Sequence, residues 1–500
     1  MMGSVIPQQV LNADVFYAER DARGGLEHAL SALPPRRIAI AVPPDVTSVS
    51  IGLETALFWT ASIIRRMGRA FAEVILVSTN EFRQCQSLLS RNIGVTVEQL
   101  LSNELRSADP FGRVEWRSWG DDTDLADAAA TIWLGTLPLG ARPAQTIAVS
   151  AHGWVAAVHE SPAADLSLSP TDFDAAPAAI AMAACMVSAR LFSDAFGRQE
   201  RPPRIAFALD NGTVTTDEVV SSQLLANGTG CVDGAPWKDS RERKPSLEKI
   251  LIVSAGGIGG NFCRILGSSF FQAASAYVLD PDNFDLSNLN RAVGVGLQAV
   301  GTSKAAIAAD ALSPCTITPL GVQSAYESWV TTDIAEQFRQ EGAAVVVGVD
   351  QVRTRLIVGS DWPSTLLNGA TSGSTFSTGI YMRTTGGCIG CWYGQDEAAY
   401  LATRTPMACA AGVAPGIMAF RQVASYAFVS VAAAAYLVAM LIRIASRGDD
   451  PKSYAGTVLS MSLRSPECAQ IRRIAISQRC LLLCGADYVQ GSLQRVTEEH

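Results

Sequence analysis

Short apolar runs alternate with longer stretches of helical spacing through the first half of the chain. RRIAIAVPP (36–44) reads as a buried strand, and SIGLETALFWTASIIRRMGRAF (50–71) follows with the spacing of an amphipathic helix. EVILVS (73–78) is a second strand, and TIAVSAHGWVAAVH (146–159) reads as one further strand. AAPAAIAMAACMVSARLFSDAF (175–196) is a long helix rich in small residues. Strands that are apolar throughout, rather than alternating, are covered on both faces. This β-α-β rhythm therefore predicts an α/β fold with a doubly wound sheet.

Residues 228–247, GTGCVDGAPWKDSRERKPSL, are polar and punctuated by Gly and Pro, and they read as a connector. The pattern restarts after it: strand KILIVS (249–254), turn AGGIGG, helix NFCRILGSSFFQAA, strand AYVLD (276–280). The expected organisation is two Rossmann-like domains, 1–240 and 241–500, related by a long-range duplication. They differ at the first turn. VPPDVTS (42–48) has no glycine, whereas 255–260 has four. A turn that wraps phosphate needs glycines so that backbone can approach it, so only the second copy is armed.

In that second copy the turn Ser254–Gly260 lies between an apolar strand and a helix, whose N-terminal N–H groups attract phosphate. Asp280, about 20 residues on at a strand end, suits a ribose hydroxyl. To this point a NAD-dependent oxidoreductase fits as well. Asn288 and Arg291 in SNLNR, followed by Lys304 in GTSK, bring cationic side chains that a triphosphate uses and a hydride carrier does not. The strand AAVVVGVD (343–350) ends on Asp350, a carboxylate placed to hold Mg²⁺, with Arg355 beyond it.

The series GGxG, D-x-D…SNLNR, GxxK and V-D-x-x-x-x-R resembles the ThiF/MoeB/ubiquitin-activating enzyme superfamily, over residues 249 to about 445. The resemblance implies that Gly256, Gly257 and Gly259 wrap the phosphates of ATP. It implies that Asp280, with Asp282 beside it, serves the ribose. Asn288, Arg291 and Lys304 would contact the triphosphate, and Asp350 would bind magnesium. Ser254 stands where the family has glycine, Ala292 follows the arginine where Gln is usual, and Gln351 follows the aspartate where Asn is usual. The implied activity is adenylation of the C-terminal carboxylate of a ubiquitin-like protein, then thioester formation. A sulfur-carrier adenylyltransferase of thiamine or molybdopterin type shares the first step. Superfamily members work as symmetric homodimers or as fused active and inactive halves. The unarmed first half favours the fused form, of the kind expected of a bacterial ubiquitin-like activating enzyme with a conjugating enzyme as its next partner. An arginine crosses between halves in this family, and Arg20 or Arg23 is the candidate here.

Eleven cysteines with no export signal fit a reducing cytoplasm. Cys388 and Cys391 (CIGC), with Cys480 and Cys484, have the makings of a structural zinc site, although three leucines separate the second pair and buried free thiols fit equally. Cys409, in a loop before a small-residue helix, is where the resemblance places the nucleophile. A net charge of -8 and a pI near 5.2 exclude a basic stripe for nucleic acid. The apolar stretch 426–442 is at the short limit for a membrane span and is expected instead as a buried helix.

Overall fold

The structure is a computed structural model and describes residues 12–21, 33–120, 125–135, 145–160, 173–196, 202–229, 245–269, 271–340, 343–361, 365–381, 386–393, 426–447, 456–463, 465–476 and 480. Of the connector 228–247, residues 230–244 lie outside them.

The first sheet contains β1 (Arg37–Ala41), β2 (Glu73–Ser78), β3 (Val114–Ser118), β4 (Ala130–Leu134), β5 (Thr146–His152), β6 (Val155–His159), β7 (Arg204–Ala208) and β8 (Thr213–Thr215), in the order 3-2-1-4-5-6-7-8. The second contains β9 (Ser246–Val253), β10 (Gln272–Leu279), β11 (Thr316–Val322), β12 (Ala344–Val347), β13 (Thr365–Ser372), β14 (Thr375–Tyr381), β15 (Thr457–Ser462) and β16 (Ser465–Arg473), in the order 11-10-9-12-13-14-15-16. Each strand thus repeats the place of the one eight earlier. In both sheets five strands are parallel and the remaining three turn antiparallel. The fold is a twice-used Rossmann-like α/β sheet.

Seven helices matter for the site: α1 (Ala13–Asp21), α2 (Ile51–Arg65), α3 (Val97–Ala108), α4 (Pro177–Ala195), α5 (Gly257–Gly267), α6 (Lys304–Leu312) and α7 (Ala427–Arg447). Helices α4 and α7 occupy equivalent places in the two halves and pack on one another. Their many alanines let the backbones approach, because a methyl group is all that stands between them. Both are long and apolar enough to span a membrane, yet 94% and 89% of their most apolar stretches are buried inside the protein. Phe192 of α4 packs at a tilt against Tyr426 and Phe428, and Phe207 stacks against Tyr436 of α7. One apolar core therefore runs through both halves, and burying each such aromatic stabilises it by about 1.5–3 kcal/mol.

The segment 146–159 is not one strand. It breaks at Gly153, whose φ of +56° only glycine adopts cheaply, and returns as an antiparallel hairpin with Ala151 opposite Ala156.

Candidate functional site

Three strand tips end level. Val253 of β9 pairs with Leu279 of β10 on one side and with Val347 of β12 on the other. Chain leaves the sheet together at Ser254, Asp280 and Gly348, and connections depart to opposite faces. This is the crevice in which an open α/β sheet binds ligands.

The turn is built tightly. Ser254 has φ +87°, the left-handed conformation a glycine would take freely, and its N–H donates to the Leu279 carbonyl at 2.8 Å. The family glycine is therefore replaced in residue but not in backbone shape. The Ser254 hydroxyl accepts the Gly256 N–H at 3.2 Å. A Cβ on Gly259 would lie 1.8 Å from the Ser254 carbonyl oxygen, so helix and strand meet there only because the side chain is absent. On Gly256 a Cβ would meet only the Ser254 hydroxyl, at 3.3 Å. That glycine faces open space at the start of α5, where a helix N-terminus favours anions.

Asp280 is buried and accepts the Ala255 N–H at 2.7 Å and the Asp282 N–H at 3.0 Å. Burial raises its carboxyl pKa, while Lys304 and those two N–H donors work to lower it. Lys304 opens α6, with Ser303 as its cap, and donates to Asp282 at 2.8 Å. Backbone bonds of 2.8 Å from Phe284 to Thr302 and from Gly301 to Phe284 hold the two loops side by side. Asp280, Asp282 and Lys304 are thus one cluster beside the glycine turn.

Asn288 is buried and caps a short 3₁₀ turn (Leu286–Asn288) by accepting the Asp285 N–H at 3.0 Å. The Arg291 side chain crosses Gly257: its Cδ is 2.9 Å from where a Cβ would sit. Its guanidinium is within 3.4 Å of the Ser287 carbonyl and 3.3 Å of Asn290 Oδ1. Asp350 is exposed, two residues past Gly348, which packs against Gly259. Buried Arg355 donates to the Val349 carbonyl and to Asn368, so it fixes the path of the Asp350 segment. Asn261 was not anticipated. From α5 it donates to the Gly257 and Arg291 carbonyls at 2.6 and 2.8 Å and accepts the Val293 N–H at 3.1 Å. An asparagine inside the apolar helix NFCRIL is the signal that marks it.

Arg20 corrects an expectation. It is fully buried, with its guanidinium on Asp21 at 2.8 Å and Asp109 at 3.0 Å and against the rings of Phe16 and Tyr17. Burial opposes its charge and the two carboxylates more than restore it. Committed to its own half in this way, Arg20 does not reach toward phosphates. Arg23, the other candidate, lies outside the described residues, as do Cys409 and Cys484.

Cys388, Cys391 and Cys480 converge, with sulfurs all within 4.8 Å of one another. Hydrogen bonding to Cys391, and then burial, pushes the Cys388 thiol far above its ordinary range. Three sulfurs at such spacing are a donor set suited to tetrahedral zinc.

The first half treats the equivalent place differently. The N-terminus of α2 is capped by the Ser50 hydroxyl, which accepts the Leu53 N–H at 3.2 Å. Its first turn carries the buried carboxylate of Glu54, and the Phe173 backbone lies against Gly52.

Residues 235–482 match the model of the ThiF family. The catalytic subunits of the NEDD8-activating enzyme E1 of Dictyostelium discoideum and the Nedd8-activating enzyme E1 of Drosophila melanogaster are each 31% identical. The matches run over 111 and 137 residues, 21% and 26% of this chain. They span 23% and 28% of those proteins, so the chain matches about a quarter of their length. Among solved structures, E. coli MccB with ATP aligns over 68% of this chain and 97% of its own, at 15% identity and a TM-score of 0.38. MccB with MccA-N7isoASN gives 15% and 0.37. The glycine turn, the aspartate after β10 and the aspartate after β12 all fall inside the matched residues, and the chain belongs through 235–482 to the ThiF family, within the ThiF/MoeB/ubiquitin-activating superfamily.

Proposed function

We propose that residues 241–500 bind Mg·ATP in the crevice beginning at Ser254 and adenylate the C-terminal carboxylate of a ubiquitin-like protein. The observation that carries this reading is the level ending of β10, β9 and β12, which delivers Asp280, the glycine turn and the Asp350 segment to one crevice edge. The ubiquitin-like partner is favoured by the kinship with NEDD8-activating subunits.

In the reaction a carboxylate oxygen of the partner attacks the α-phosphorus, pyrophosphate leaves, and an acyl-adenylate forms. Gly256 and the α5 N-terminus cradle phosphate, Asp280 accepts from ribose, and Arg291 and Lys304 offset the charge that develops on the triphosphate. Lys304 exchanges its Asp282 partner for phosphate or shares it, which makes Asp282 the group that holds the lysine ready. Asp350, exposed and acidic, would hold magnesium, whose charge would offset that of the pyrophosphate. Cys409 then attacks the acyl carbon as thiolate, AMP leaves, and the thioester passes to a conjugating enzyme. Cys388, Cys391 and Cys480, with Cys484 as fourth ligand, would hold a structural zinc. The first half reads as a nucleotide-type fold without a nucleotide, since the Ser50 hydroxyl caps α2 from within and the Phe173 backbone lies against Gly52.

ATP–pyrophosphate exchange tests the first step, and Asp350→Ala should abolish it. Cys409→Ala should keep exchange and lose the reducible adduct; an adduct that persists removes Cys409 from the mechanism. A NAD-dependent oxidoreductase leaves Lys304 and Asp350 without work, and NAD binding would favour it.

A further inference from the structure

The first half does reach the loop that follows Arg291 in the second, through Arg66 and Glu104. Arg66, at the end of α2, is 2% exposed. Its guanidinium donates to the Ala292 carbonyl at 3.1 Å, the Val295 carbonyl at 2.9 Å, the Ser62 carbonyl at 3.0 Å and Glu104 Oε1 at 2.8 Å. The same Glu104 oxygen, on α3, accepts the Gly294 N–H at 3.0 Å. One ion pair from the first half thus holds three backbone groups within 292–295, two carbonyls and one N–H. The segment begins at the residue after Arg291, whose own carbonyl is held from the other side by Asn261. In addition, Phe16 and Tyr17 of α1 pack with Leu286, Leu289 and Ala292 in one apolar cluster.

We propose that Arg66 and Glu104 are positioning residues: they clamp the 292–295 loop from the first half and thereby hold Arg291 over the glycine turn for the triphosphate. The physical reason is that Arg291 has a long side chain with several rotamers and its guanidinium is placed only as well as its backbone is. Asn261 fixes one edge of that backbone, and a planar fork that bonds two carbonyls at once fixes the other. The clamp gives the first half a task in a site it does not line. This inference rests on the proposed ATP site for its consequence and on the geometry alone for the clamp.

Arg66→Lys separates the two. Lysine keeps the charge opposite Glu104, so no buried carboxylate is left unpaired, but a point charge cannot hold the Ala292 and Val295 carbonyls in a fork. Two measurements on the full chain decide. Amide hydrogen exchange at Val293 and Gly294 should quicken in Arg66→Lys while the thermal midpoint shifts little. Fluorescent titration with mant-ATP and mant-AMP should show mant-ATP weakened about tenfold and mant-AMP unchanged, because Arg291 addresses the triphosphate only. Unaltered exchange at Gly294 overturns the clamp. Equal weakening of both nucleotides, or of neither, overturns its link to Arg291. Wild-type protein that binds neither nucleotide refutes the ATP site itself, and hydrogen exchange still decides whether Arg66 holds the loop.

Discussion

Two glycines three positions apart should fail in opposite ways when given a methyl group. At Gly259 the added Cβ would lie 1.8 Å from the Ser254 carbonyl oxygen, far inside the 3.4 Å at which ordinary contact begins. The obstacle is backbone at a strained turn, held in place by the Ser254 N–H bond to Leu279, so it cannot swing aside as a side chain would. Overpacking a tight site costs about 1–3 kcal/mol, and an immovable obstacle puts Gly259→Ala near the upper figure. That is about two decades in the folding equilibrium. At Gly256 the Cβ would touch only the Ser254 hydroxyl at 3.3 Å, and φ is -72°, which alanine adopts. The cost is that of alanine at a helix cap, below about 1 kcal/mol. The methyl group instead projects into the space where backbone would meet phosphate. Urea unfolding monitored by tryptophan fluorescence and titration with mant-ATP separate the two variants. Gly259→Ala should lower the unfolding midpoint with little change in slope. Gly256→Ala should unfold as wild type and bind mant-ATP at least about tenfold more weakly, some 1.4 kcal/mol. Normal ATP affinity in Gly256→Ala would refute the phosphate cradle, and an unshifted midpoint in Gly259→Ala would refute the close approach of α5 to β9.

Further outcomes follow from other residues. Asn261→Ala removes three hydrogen bonds from a buried site and should cost about 2–3 kcal/mol in urea unfolding, with added loss of ATP affinity through Arg291. Burial raises the Glu54 carboxyl above its ordinary 4.5, against hydrogen bonds from Ser87 and the Leu88 N–H. A raised folded value favours the neutral acid, so the stability it lends is complete below pH 4.5 and declines as pH rises through the window above it. Wild type should therefore lose stability relative to Glu54→Gln between acidic and neutral pH; a constant difference across that range would contradict the assignment. Metal analysis should find zinc in the purified chain and none in Cys388→Ala, and a metal-free wild type would leave Cys388, Cys391 and Cys480 as plain buried thiols.

Much of the armed half was legible because its signals are local. A glycine-rich turn between an apolar strand and a helix is read within a dozen residues, and Asp280 and Asp350 fall at the ends of unbroken apolar strands. EVILVS became β2 residue for residue, since a run covered on both faces has no other use for so many branched side chains. What stayed hidden is long-range. The duplication itself was legible in the restarted β-α-β pattern, but the order of the strands within each sheet was not, because a buried strand asks only for apolar side chains. The hairpin at Gly153 was masked by apolar residues on both sides of its turn. Arg66 lies 226 positions from its Ala292 partner, a separation that no periodicity reports. Arg20 shows the converse: an arginine at a promising place in the sequence is, in three dimensions, neutralised by Asp21 and Asp109.

The sharpest test is equilibrium dialysis of the full chain with labelled ATP and magnesium, with NAD as competitor. One ATP should bind per chain, undisplaced by NAD and weakened at least about tenfold in Gly256→Ala. Binding of NAD in place of ATP would contradict the ATP site, and two ATP molecules per chain would contradict the division into one armed and one unarmed half.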